Sequence, residues 1–277
     1  MYEGIDVMIE SLHKFNIGVE GTRRVVYSVP VSALPHGSAM EQLLEAYSPL
    51  MKALDRTAAA AYFCAQFGNV CLALQYAVSV HDVSFDVSLN NITVQLVEME
   101  EGRYGVAFQL AHWSEQRAPE DGNERRLWLA DVLSALYSGT VRPVYEAASK
   151  AAGMPLPHLW GLLPTRFNYS TEQWMLAETN DTIKETIAAD YEFLIRQIEG
   201  STFGQTRSPF DVKIRWIEDL KDPCKQMRMK NSCCMYYRTE GGRYCYSCPR
   251  IKESERAERR LEAREGEKAA VPVAAAK

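Results

Sequence analysis

The chain has 277 residues, 47% hydrophobic and 24% charged, with a formal net charge of −5. That is enough apolar material for a sizeable core without staples, and it excludes a disordered chain, a collagen-like repeat and a small disulfide scaffold. The mild acidity argues against a general nucleic-acid binder.

The opening MYEGIDVMIESLHKF has no basic start followed by an apolar core and no lipidation motif. The reading is a cytoplasmic protein, in which clustered cysteines are metal or redox sites rather than disulfides. Arg24 to Ser32 (RVVYSVPVS) alternates and is rich in valine, so it reads as a strand, and Pro30 places it at a sheet edge. Ser38 to Leu54 carries Leu43, Leu44, Tyr47, Leu50, Met51 and Leu54 at the spacing of an amphipathic helix. Between Arg56 and Asp82 there is no Asp, Glu, Lys or Arg. The stretch is long enough to span a membrane, but Gln66, Asn69 and Gln75 would need partners inside lipid, so it reads as a buried helix pair. Cys64 and Cys71 within it read as small buried hydrophobes.

Val83 to Leu89 reads as a strand, and Ile92 to Glu98 with Tyr104 to Ala111 as a hairpin turning at Glu101-Gly102. Ala118 to Asn123 (APEDGN) is a loop. Leu127, Leu129, Val132, Leu133 and Leu136 then mark a helix ending near Gly139, and Val144 to Ala152 a second, ended by Gly153. Pro155 and Pro157 open a short segment, Leu159 to Leu163. Ser170 with Gln173 fits a capping box for a long helix to about Ile198. GSTFGQTRSP is a linker, and the alternating charges of Glu253 to Glu267 read as a solvated helix fading into a disordered tail. The fold class is α+β: an N-terminal mixed half (1–122) with a small antiparallel sheet, a mainly helical region (123–220), a cysteine-rich segment (221–252) and the charged helix and tail (253–277).

The cysteine-rich segment carries the chemistry. Five of the seven cysteines fall between Cys224 and Cys248. In NSCCMYYRTEGGRYCYSCPR, Cys233 and Cys234 are adjacent, ten residues follow, then Cys245, two more, and Cys248-Pro249. Four thiols with one CxxC pair imply a four-ligand metal site, with Gly241-Gly242 as the turn that brings its ends together. Adjacent cysteines diverge on an extended strand, which makes convergence on one zinc awkward. A dinuclear iron–sulfur cluster offers two metal atoms, so vicinal thiols need not share a centre. Structural zinc and redox thiols remain the alternatives at this point. From Lys221 to Lys252 eight basic residues face only Asp222 and Glu240, a net +6 in a chain of −5. That charge offsets a tetrathiolate and steers anions. Tyr236, Tyr237, Tyr244 and Tyr246 interleave with the ligands as a shield against water. Cys224 reads as a spare thiol, with a replacement ligand as its other reading.

This pattern resembles the C-terminal signature of FhuF-type ferric-siderophore reductases. Tyr237-Arg238 after the vicinal pair, Gly241-Gly242 before Cys245, and the Pro143 to Leu163 stretch with Leu159-Trp160 extend the similarity over roughly residues 140 to 252. Tyr246-Ser247 is bulkier than the family's pair between the last two ligands, and the charged C-terminal extension also departs from it. The resemblance implies that Cys233, Cys234, Cys245 and Cys248 ligate one [2Fe-2S] cluster. It implies one-electron reduction of ferric iron held by a siderophore, typically a hydroxamate, with release of ferrous iron in the cytosol. The donor is then reduced ferredoxin or a flavin-dependent protein. The implied fold is similar to the C-terminal region of siderophore synthetases, and a position beside a siderophore permease is compatible with it. Arg238, Arg243 and Arg250 are expected to line the approach, and Trp160 or Tyr246 to pack on the chelate. The scattered histidines receive no role. Two other functions compete: a zinc-stabilised, non-enzymatic binding module, and an iron–sulfur sensor or electron carrier.

Overall fold

The computed structural model describes residues 10–18 and 24–270, the side chains of 266–270 excepted. The opening segment and the end of the tail, on which the leader and disorder expectations fall, lie outside the described residues.

The molecule is organised around one helix. After α1 (Ala39–Leu50), α2 (Arg56–His81) runs unbroken for 26 residues. It is one helix rather than the expected pair, because no proline or left-handed glycine interrupts the run and Gly68 lies inside it. The Asp55 carboxylate accepts from the amides of Thr57 and Ala58 and caps its start. α2 is long and apolar enough to cross a membrane, but it is apolar on all sides and other elements of the fold enclose it. Several of its polar side chains find protein partners. Gln75 donates to Ser79, and Ser79 donates to the buried carboxylate of Asp190 at 2.9 Å. Arg125 grips Asp190 through both terminal nitrogens and Asp82 through Nε. Arg166 donates to Asn69.

A four-stranded sheet covers one side, in the order β1 (Ile17–Gly18), β5 (Arg103–Leu110), β4 (Ile92–Glu100), β2 (Arg24–Pro30). The β4–β5 hairpin turns at Glu101-Gly102, and Gly102 has the positive φ that such a turn requires. β2 is the edge strand, as Pro30 dictates. β1 pairs parallel to β5, so the sheet is mixed and not purely antiparallel. The strand expected over Val83 to Leu89 shortens to β3 (Val83–Phe85), paired with β6 (Glu115–Arg117).

The other side is helical: α3 (Gly122–Ser134), α4 (Arg142–Ala152), α5 (Leu156–Trp160), α6 (Leu163–Ala177) and α7 (Asp181–Arg196). Gly139 does not end a helix. A π-helical stretch, Ala135–Val141, joins α3 to α4, because Leu136, Tyr137 and Val141 all turn into the core and a widened turn keeps them there. Leu127, assigned to the apolar face from its spacing, is 68% exposed. Ser170 is interior to α6, since Leu163, Pro164 and Phe167 are already helical and buried upstream of it. The single long helix expected after it breaks at 178–180, where Asn180 caps α7. Gly153, at φ 62°, ends α4 as expected. One continuous apolar cluster spans position 122, so the composition change there does not divide the core.

Candidate metal centre

Residues 231–250 form a loop fastened at three places. At its entry the Asn231 amide donates to Thr165 Oγ1, Ser232 Oγ donates to the His158 carbonyl, and His158 Nε2–H donates to the Cys233 carbonyl at 2.7 Å. α5 and the start of α6 thereby fix the first ligand. At its tip, Leu54 N–H donates to Arg238 O and Glu240 N–H to Lys52 O, which docks the loop on the turn before α2. Arg238 Nη1 reaches Asp55 Oδ2 at 2.6 Å. At its exit the Cys248 amide donates to Cys245 O, the tight turn that a CxxC spacing makes. The bend between the two ligand pairs relies on both glycines. Gly241 sits at φ 68°, and a Cβ on Gly242 would lie 2.0 Å from the Tyr236 carbonyl oxygen.

Asp55 therefore serves both helix and loop. Asp55→Asn keeps an acceptor for the α2 amides and loses only a half-exposed ion pair, so unfolding free energy should fall by less than about 1 kcal/mol. Asp55→Ala removes the cap as well and should cost about 1–2 kcal/mol. Denaturant titration of the two variants checks the order.

The thiols come together as two pairs. Cys233 Sγ and Cys248 Sγ stand 3.5 Å apart and are buried. Cys234 and Cys245 are half-buried and form the second pair. A disulfide needs sulfurs about 2.05 Å apart, whereas two thiolates on one tetrahedral metal at roughly 2.3 Å stand about 3.8 Å apart. The inner spacing is that of a chelating pair. Among the described residues no three His, Cys, Asp or Glu side chains converge as a site for one ion. Two adjoining pairs are the donor arrangement of a two-metal cluster, so the residues fit a [2Fe-2S] group, with two thiolates available to each iron.

Lys230 places its ammonium beside these sulfurs, 3.8 Å from Cys234 Sγ. Burial works to lower its pKa, but the surrounding thiolates outweigh that and raise it. The Cys234 hydrogen bond, with Lys230 behind it, holds the Cys245 thiol well below its usual range. The same interaction and burial push the Cys234 thiol up. Burial pushes Cys248 up to about 11.

The ligand loop is overlaid by α8 (Glu253–Ala270). Arg256 is 2% exposed and donates to the carbonyls of Tyr246 and Cys248. Arg259 donates to Tyr244 O, and Arg260 to Tyr246 Oη. Arg264 and Arg260 pair with Glu218 of the β7 (Trp216–Glu218) and β8 (Gln226–Arg228) hairpin. The charged helix is thus docked, not solvated, because one arginine-bearing face finds backbone carbonyls and acids to bind. Between α8 and the loop lies a cleft of about 560 Å³ lined by Cys245, Tyr236, Tyr244, Arg243 and Arg259.

The four cysteines expected as ligands, Cys233, Cys234, Cys245 and Cys248, all lie in this loop. Cys224 is exposed on the β7–β8 turn and is not among the paired thiols. Arg243 borders the cleft. Arg238 is committed to Asp55 and Thr57 rather than to an approach path. Arg250 bonds Tyr237 Oη, beside the close Tyr237–Tyr244 ring pair. Trp160 is 0% exposed, packed on Tyr137, Tyr145 and Phe203, and so does not pack on a chelate. Tyr246 borders the cleft, but its hydroxyl is held by Glu218 O and Arg260. Sequence reasoning missed His158, Lys230 as the cation among the sulfurs, and Arg256. Only Lys230 had a signal, its place three residues before the first ligand.

Residues 231–250 match the family described as the FhuF 2Fe-2S C-terminal domain. No curated protein matches the chain. The matched segment contains all four paired cysteines and implies a [2Fe-2S] cofactor. The similarity is to that iron–sulfur domain and covers this segment of the chain.

Proposed function

We propose that this FhuF-like protein is a ferric-siderophore reductase that passes single electrons to chelated ferric iron and releases ferrous iron in the cytosol. The observation that carries the reading is the half-buried Cys234–Cys245 pair, Cys245 of which borders an open cleft. A purely structural metal site is closed, whereas this one has a face that a chelate can approach. When bound, the [2Fe-2S] group supplies electrons singly, which matches the one-electron change from ferric to ferrous iron.

The chain's own residues bind and insulate. No general base or nucleophile is needed. The cleft, with its tyrosine walls, receives the chelate beside Cys245. Arg243 attracts anionic chelates or an acidic donor surface. Lys230 offsets the negative charge of the thiolates and favours the electron-loaded state. The Tyr237–Tyr244 pair keeps water from the loop. In this proposal the substrate is a hydroxamate-type siderophore, and the donor is reduced ferredoxin or a flavin-dependent protein. Residence is cytoplasmic, with peripheral association near a permease compatible, and no nucleic acid takes part.

The test is anaerobic purification, metal and sulfide analysis, reduction with dithionite and mixing with ferric hydroxamate. Two irons and two sulfides per chain, and reoxidation by the chelate with ferrous iron appearing, are expected. A colourless protein holding one zinc would overturn the reading in favour of a binding module. A cluster that stays reduced would overturn it in favour of a sensor or carrier. With anionic ferric citrate at low salt, Arg243→Gln should slow reoxidation several-fold, and the difference should vanish at high salt. Arg238→Gln should leave the rate unchanged, because that guanidinium is held by Asp55.

A further inference from the structure

The four thiols are not equivalent. Cys233 and Cys248 are 3% and 1% exposed, with their sulfurs at chelating distance. Cys234 and Cys245 are half-buried, and the Lys230 ammonium lies 3.8 Å from Cys234 Sγ. Ser247 Oγ lies 4.0 Å from Cys245 Sγ. We infer that Cys233 and Cys248 hold one iron, that Cys234 and Cys245 hold the other, and that Lys230 makes the second the iron that turns ferrous on reduction. This rests on the two-iron reading of the site.

Two features of the chain set the division. Vicinal residues cannot both turn inward, so Cys233 faces the core beneath His158 while Cys234 faces Lys230. The CxxC turn then divides its own two thiols between the partners, Cys248 inward and Cys245 toward the cleft. The electrostatics follow from that division. One electron added to a diferric centre lowers the charge of one iron, and it settles where positive charge and hydrogen bonds to sulfur are concentrated. Lys230 supplies both to the outer pair through Cys234. Arg256 touches the inner ligand's backbone, but its guanidinium is paired with Glu253 and bonded to carbonyls. The iron that receives the electron is then the one beside the cleft. Lys230 acts as a positioning residue for charge, through the thiolates it bonds.

The test uses the intact protein loaded with ⁵⁷Fe and reduced by one electron from dithionite, read by Mössbauer spectroscopy and redox titration. Cys245→Ser should shift the ferrous doublet and leave the ferric one in place. Cys248→Ser should do the reverse. Should a serine variant fail to retain its cluster, Lys230→Met decides, since it removes no ligand. It should move the ferrous doublet and lower the midpoint potential. Ferrous parameters that respond to Cys248→Ser but not to Cys245→Ser overturn the pairing. A Lys230→Met protein with unchanged spectrum and potential overturns the lysine's role. Wild-type protein that binds one zinc and no iron fails the two-iron reading itself, a result distinct from either.

Discussion

Gly242→Ala should yield a folded protein that retains no cluster. The added methyl carbon would lie 2.0 Å from the Tyr236 carbonyl oxygen and 2.7 Å from Thr239 Oγ1. The nearer obstacle is the Tyr236 backbone carbonyl, held by Thr239 N–H and Oγ1, so it cannot rotate aside as a flexible side chain would. The loop must open, and opening separates Cys233-Cys234 from Cys245 and Cys248. Most of the core lies outside the loop, so circular dichroism should change little while bound iron falls below about a tenth of wild type, since affinity depends on all ligands being in place. Gly241→Ala is the contrast. Its Cβ meets open space, and the cost is only that of a left-handed conformation, about 1–2 kcal/mol. It should keep most of its iron. Equal iron contents in the two variants would show that the loop does not depend on the close approach at Gly242.

Arg256→Ala should loosen the site from the other side. The guanidinium is buried and bonds two ligand-loop carbonyls, Tyr246 O at 3.2 Å and Cys248 O at 3.0 Å. Hydrogen bonds from a charged donor contribute about 1.5–3 kcal/mol each, and both acceptors would be left unsatisfied. The holoprotein should lose about 3 kcal/mol or more, and a ferrous chelator should strip its iron roughly tenfold faster or more. Lysine should not restore it, because one ammonium does not reproduce the forked geometry. Glu258→Gln, exposed on the same helix, is the control and should behave as wild type.

What the sequence disclosed follows from the range of each signal. The Cys233-Cys234…Cys245…Cys248 spacing is covalent information, and it singled out the segment that matches the 2Fe-2S domain without any knowledge of the fold. The α2 core helix was legible because 25 residues without Asp, Glu, Lys or Arg must be buried somewhere. The β4–β5 hairpin was legible from its turn and its alternation. The failures lie where the deciding partner is distant in the chain. His158 is 75 positions from Cys233, and nothing local marks it as the donor that holds that carbonyl. The arginines of α8 have the alternating pattern of a solvated helix, and only the docked loop sets the buried Arg256 apart from Ser254 and Glu258 on the exposed face. Trp160 and Tyr246 were paired as candidate chelate walls because aromatic residues near a site look alike in sequence. In the fold one is core and the other borders the cleft. Ser170 fits a capping box in pattern, but helical packing begun at Leu163 overrides it.

The docking of the ligand loop on the turn before α2 has a consequence for the order of events in folding. The Asp55–Arg238 pair joins residues 183 positions apart. Closing so long a loop is entropically costly until much of the intervening chain has condensed. The two thiol pairs therefore assemble late, onto a core that already exists. In a zinc finger the metal gathers an otherwise unfolded chain. Here the polypeptide is expected to build the receptacle first, so metal-free protein should keep the circular dichroism of the loaded form and take up iron and sulfide without refolding.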